Sequence, residues 1–179
     1  MKREGVKAPK LSDLNGRDLT LADISALTAA FENESDRGMS LLYAALAENA
    51  VEWAIYRRLP GLGEAIRKNT FMNENAPLAT FSRKIAMGRA MGIYGEETEV
   101  LLKSIKNIRN KFAHLLLPIA FETPEIKNEC FRLKIPGGLV PLPHKDNART
   151  RYKLAVNWLY ASLMENAVNQ TRTFNIDLP

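Results

Sequence analysis

The chain has little of what most catalytic and covalent frameworks need. Among 179 residues there is one cysteine, Cys130, and there are two histidines, His114 and His144. A single thiol excludes a disulfide framework and any multi-cysteine zinc site. No Gly-x-Ser-x-Gly elbow presents a serine, and no glycine-rich run ends in Gly-Lys-Ser/Thr, so a hydrolase elbow and a P-loop are both excluded. The longest apolar stretch runs only from Leu115 to Phe121 and contains Pro118, far short of a membrane span. Met1 to Gly5 lead into no apolar core, so no secretory signal is expected. Period-two alternation of β-branched residues is also missing, which removes the usual mark of a sheet.

What remains is an ordinary globular balance, with 46% hydrophobic and 25% charged residues. The length is that of one domain, able to bury about 70% of its unfolded surface. Lys plus Arg total 25 and Asp plus Glu 20, a net charge of +5 that permits an anionic partner without requiring one. The reading is a cytoplasmic protein with no membrane segment, no metal and no cofactor.

Helical periodicity organises the chain. Residues 1–16 read as a basic tail, in which Lys2, Arg3, Lys7 and Lys10 outnumber Glu4. An all-helical domain is expected over 17–171, with a C-terminal tail at 172–179. Leu21, Ile24, Leu27 and Phe31 recur at helical spacing. A central helix is predicted from Ser35 to about Arg58, stopped by Pro60-Gly61 and apolar almost all round. A short helix is expected near 63–69, then helices over about 77–91 and 96–116. Another starts at Thr123-Pro124-Glu125, and a last one covers about 148–170. The sum is an all-α bundle of six or seven helices, with a Pro- and Gly-rich loop over 135–147. Cys130 falls on an apolar face and reads as an inert core thiol. The segments LYAALAENAV (42–51) and LYASLMENAV (159–168) echo each other, which predicts two core helices whose Glu48-Asn49 and Glu165-Asn166 need polar partners.

One turn could carry chemistry. Arg109-Asn110-Lys111-Phe112-Ala113-His114 places Asn110 and His114 one turn apart, opposite the apolar stripe, with Arg109 about 140° from His114. The Arg-Asn-x-x-x-His spacing resembles the signature of HEPN domains, small all-α bundles that often dimerise. In catalytic members that motif cuts RNA without metal, Arg clamping phosphate, Asn positioning, and His acting as acid or base. The competing reading is structural: Arg109 ion-pairs with Asp36, Glu48 or Glu52, and His114 caps its helix. Glu34 and Arg37 complete that polar cluster. His144 has no evident tie to either reading.

A wider resemblance covers roughly residues 30–130. Five motifs occur in order: Glu34-Ser35-Asp36-Arg37-Gly38, Asn75 to Ser82 (NAPLATFS), Met91-Gly92-Ile93, Ile108 to His114 (IRNKFAH), and Ile119 to Ile126 (IAFETPEI). This ordered set resembles the mannitol operon repressor family, the MtlR/MltR group. The resemblance implies a cytoplasmic all-α transcriptional regulator that acts through a protein partner, a regulator or a transporter component, without a DNA-binding domain of its own. The single helix-turn-helix candidate, Phe81 to Phe112, has a second helix whose full apolar stripe needs burial, so direct DNA reading is not expected. A homodimer is expected. The alternative is an HEPN-like endoribonuclease or toxin using Arg109, Asn110 and His114, which leaves open whether the chain is an enzyme and whether RNA binds.

Overall fold

Ser35 begins the central helix by local chemistry. Its hydroxyl accepts the Gly38 N–H at 3.0 Å, and Asp36 supplies a negative charge in the first turn. In the computed structural model, which describes residues 26–27, 29–59, 63–134 and 147–169, this helix, α1, spans Asp36–Tyr56. A short α2 (Glu64–Arg67) runs directly into a π-helical turn, Lys68–Met72. Then follow α3 (Phe81–Ala90), α4 (Glu96–His114), α5 (Pro124–Arg132) and α6 (Ala148–Asn169). The fold is an all-α helical bundle, with no strand among the described residues. The expected tails at 1–16 and 172–179, and residues 135–146 with His144, lie outside the described residues.

The core sits around α1, which packs most heavily on α6 and then on α4 and α3. The two echoed segments therefore lie on helices that pack on each other. Ala44, Ala47, Ala50 and Val51 of α1 are buried, as are Ala155, Val156, Leu159 and Leu163 of α6. Small residues let the two backbones approach, and the larger ones interlock between them. The echoed polar positions find different partners. Glu48 accepts from Lys84 at 2.9 Å, while Asn166 accepts from Arg58 at 2.6 Å. The stripe of α4 (Leu101, Leu102, Ile105, Ile108, Phe112) is fully inside.

Two predicted boundaries move. The third long helix starts at Phe81, not near Pro77. Thr80 is extended (φ −106°, ψ 147°) and its hydroxyl accepts the Arg83 N–H at 3.3 Å, while the Leu78 N–H bonds back to Thr70 at 2.9 Å. The chain before Thr80 is thus tied to the π-helical turn. The next helix ends at His114, not near Leu116. Leu115 is extended (ψ 122°), in keeping with a proline three residues on. Between these helices the chain reverses at Gly92, whose φ of 66° suits glycine.

Three buried charges escaped the periodicity. Lys84 lies inside and binds Glu48 and Glu52, the latter at 2.8 Å. Arg67 binds Glu52 at 3.0 Å, with its guanidinium over the rings of Trp53 and Tyr56. Two carboxylates face two cations, so the cluster is neutral and each charge is compensated.

Candidate functional site

The segment that joins α4 to α5 is held by the first turn of α1. Arg37 donates to the carbonyl oxygens of Leu115 (2.7 Å) and Leu117 (3.3 Å). Asp36 accepts the Phe121 N–H at 2.8 Å and pairs with Arg149 of α6 at 2.6 Å. Phe121 is buried, with its ring 5.0 Å from Phe112 and 5.4 Å from Tyr152. Thr123 accepts the Ala120 N–H at 3.0 Å through its hydroxyl, so this residue supports the loop and does not cap α5 with its side chain, contrary to the simple sequence reading.

The backbone is pinned while the side chains face out. Leu115, Leu116 and Leu117 are 44%, 98% and 71% exposed. Full burial of one leucine is worth about 1.5–3 kcal/mol, so three in a row left open forgo several kcal/mol. Contiguous exposed apolar surface of this kind marks interaction sites. Beside the leucines lies a groove of about 690 Å³. Asn110, Lys111 and His114 of α4 form one wall, Leu115, Leu117, Pro118 and Ile119 the floor, and Thr123 with Glu125 and Ile126 of α5 the other wall. Lys111 pairs across its edge with Glu129.

The structure places Asn110 and His114 together on this wall, one turn apart. Arg109 stands apart. It is exposed, does not line the groove, and donates to Asn110 Oδ1 at 3.0 Å. An RNA-cleaving arrangement would need Arg109 and His114 side by side in a basic cleft, and this wall adjoins a floor of leucine, proline and isoleucine. The expected ion pair of Arg109 with Asp36, Glu48 or Glu52 is also corrected. Asp36 is taken by Arg149, and the two glutamates are taken by Lys84 and Arg67. Those carboxylates belong to two separate sites, one at the start of α1 and one deep against α2 and α3. Glu34 contributes its backbone carbonyl, which accepts from Arg149 at 2.7 Å. Of the expected polar cluster, Asp36 and Arg37 reach the segment after His114. The sequence reading missed the three leucines, although they begin its longest apolar run, and it missed Arg149.

Cys130 is buried on the core side of α5. Burial, and secondarily the nearby Glu129 carboxylate, push its thiol up to about 12. It holds a neutral thiol, not a nucleophile.

Among the described residues no helix is long and apolar enough to cross a membrane. No family model matches the chain, and no curated protein matches it. The fold is similar to a solved structure, the X-ray structure of the MtlR–HPr complex from Escherichia coli. The TM-score is 0.53 at 18% sequence identity, over 81% of this chain and 93% of that one. At that identity the likeness shows a shared helical fold.

Proposed function

We propose that this chain is a regulatory module of the mannitol-repressor kind, which acts by binding a protein partner and carries no DNA reader of its own. The observation that carries this reading is the open Leu115-Leu116-Leu117 segment, stapled by Arg37 and Asp36 beside an apolar groove. A rigid backbone with exposed leucines loses little entropy on docking, which is what a protein-binding surface requires. The shared fold supports the reading because that bundle was solved in a complex with HPr. The five ordered motifs point the same way, and three of them build this site: residues 34–38, 108–114 and 119–126. On this reading the protein works in the cytoplasm as a homodimer and controls a mannitol-type uptake operon through its partner.

The test is calorimetric titration of the purified protein with HPr, together with Leu116→Asp. Binding that the variant loses, with its melting temperature kept, supports the reading. Binding unchanged in Leu116→Asp, or no binding to HPr alongside direct binding to operator DNA, overturns it.

A further inference from the structure

The charges around the groove are unevenly matched. Near it three acids have cationic partners: Asp36 has Arg149, Glu129 has Lys111 and Glu122 has Lys127. Three cations on the α1 and α4 side do not have acidic partners among the described residues. Arg37 donates to the Leu115 and Leu117 carbonyls, Lys106 to Ser82 Oγ at 3.2 Å, and Arg109 to Asn110 Oδ1. Each faces neutral oxygens.

Two of these cations, Lys106 and Arg109, lie on α4, the helix that lines the groove through Asn110, Lys111 and His114. Lys106, Asn110 and His114 follow one another at i, i+4 intervals, so they form one line along α4 that ends at the leucines. Arg109 joins that line through Asn110. The opposite wall carries Glu125, which has no cationic partner among the described residues. The groove is therefore apolar along its floor and negative at one point on α5, while Lys106 and Arg109 stand outside it, further along α4.

We infer that the partner docks through an acidic amphipathic segment, with apolar side chains on Leu115–Leu117 and carboxylates towards Lys106 and Arg109. This rests on the protein-binding reading above and adds the partner's chemistry to it. Charge complementarity of this kind fixes orientation and rejects the wrong partner more than it adds affinity. Nucleic acid is the poorer fit. Three cations beside a leucine floor offer few phosphate contacts, and the apolar carbon gives a sugar–phosphate backbone nothing to bind.

The experiment uses the whole chain and a labelled synthetic amphipathic helix with Leu on one face and Glu on the other. Its counterpart carries Lys in place of Glu, and a labelled DNA duplex is the third probe. Fluorescence anisotropy should show the Glu peptide binding at least about tenfold tighter than the Lys peptide. The double variant Lys106→Glu/Arg109→Glu should lose or reverse that preference, and Glu125→Gln should strengthen Glu-peptide binding slightly. Arg109 and Glu125 are exposed and Lys106 is half-buried, and circular dichroism checks that each variant keeps the fold. Equal binding of both peptides, a preference untouched by the double variant, or tighter binding of the duplex would each overturn the inference. If Leu116→Asp abolishes peptide binding while the charge reversals change nothing, the docking surface stands and only its charge preference falls. If Leu116→Asp changes nothing, the docking surface itself falls.

Discussion

Arg37 and Leu115 are joined across 78 residues of sequence by a 2.7 Å hydrogen bond from the guanidinium to the carbonyl oxygen. The bond links the first turn of α1 to the residue that ends α4. A carbonyl just past a helix end lacks an intrahelical donor, and Arg37 supplies one while reaching Leu117 with the same nitrogen. Replacing Arg37 with Ala should release the 115–117 backbone. The expected cost is about 1 kcal/mol, since the group is partly exposed and a charged hydrogen bond is worth roughly 1.5–3 kcal/mol when well shielded. Arg37→Lys should recover only part of this, because a single ammonium does not reproduce a planar fork. Hydrogen exchange of the residue 115–121 amides and the melting temperature check both statements. Unchanged exchange in the Ala variant would show that the staple does not order the segment.

The neutral cluster of Lys84, Arg67, Glu48 and Glu52 predicts an asymmetric response. Lys84→Met leaves Glu52 with only Arg67 and leaves Glu48 without its cation, in a region where Lys84 and Glu52 are both buried. Breaking such a cluster from one side costs about 3 kcal/mol or more. A double replacement, Lys84→Met with Glu48→Gln, should be less damaging than the single one, because Glu52 then keeps Arg67 and no charge of the cluster is left uncompensated. Urea melts of the two variants test this. A single variant as stable as the parent would show that water reaches the site.

Much of the fold was legible because the bundle is built by periodicity. The stripes of α1 and α4, the Ser35 cap and the Thr123-Pro124-Glu125 helix start are local signals, and the helices form where those signals stand. The site was less legible. Arg109, Asn110 and His114 drew attention as residue types with known chemistry, whereas the exposed groove depends on which way Leu115–Leu117 face. That direction is set by Arg37 and Asp36, 78 and more residues away. Lys84 is hidden for a similar reason. A lysine in a helix reads as solvated until a second helix brings Glu48 and Glu52 to it.

A tight approach predicts a third effect. A Cβ built on Gly88 would lie 2.5 Å from the Tyr94 hydroxyl and 2.8 Å from two of its ring carbons. The same hydroxyl donates to the Ile85 carbonyl at 2.9 Å, so the ring has a bonded position to keep. Gly88→Ala, favourable for an isolated helix by nearly 1 kcal/mol, should here destabilise by about 1–3 kcal/mol. Tyr94→Phe added to it should give a non-additive result, since the two residues touch. Thermal melts of the two singles and the double decide it. Additive changes would show that the ring moves freely.

The thiol of Cys130 gives a pH dependence with a definite sign. Burial raises it from an ordinary 9.0 to about 12. In the unfolded chain the thiol ionises as pH passes its ordinary value, while in the folded chain it stays protonated. The unfolded state therefore binds fewer protons over that interval, and stability falls as pH rises. The contribution is fully present below pH 9 and lost progressively up to about 12. Cys130→Ala should flatten this part of the stability curve relative to the parent, at the cost of a small cavity. Tyr94, raised by burial, adds the same sign in each protein and so cancels in the difference, while Tyr152, raised mainly by burial and in smaller part by Cys130, adds the same sign and is lowered a little in the variant. The native thiol should also resist a disulfide reagent at pH 8 and react once the chain unfolds in denaturant. Rapid labelling of the folded protein would place Cys130 at the surface and remove the basis for both expectations.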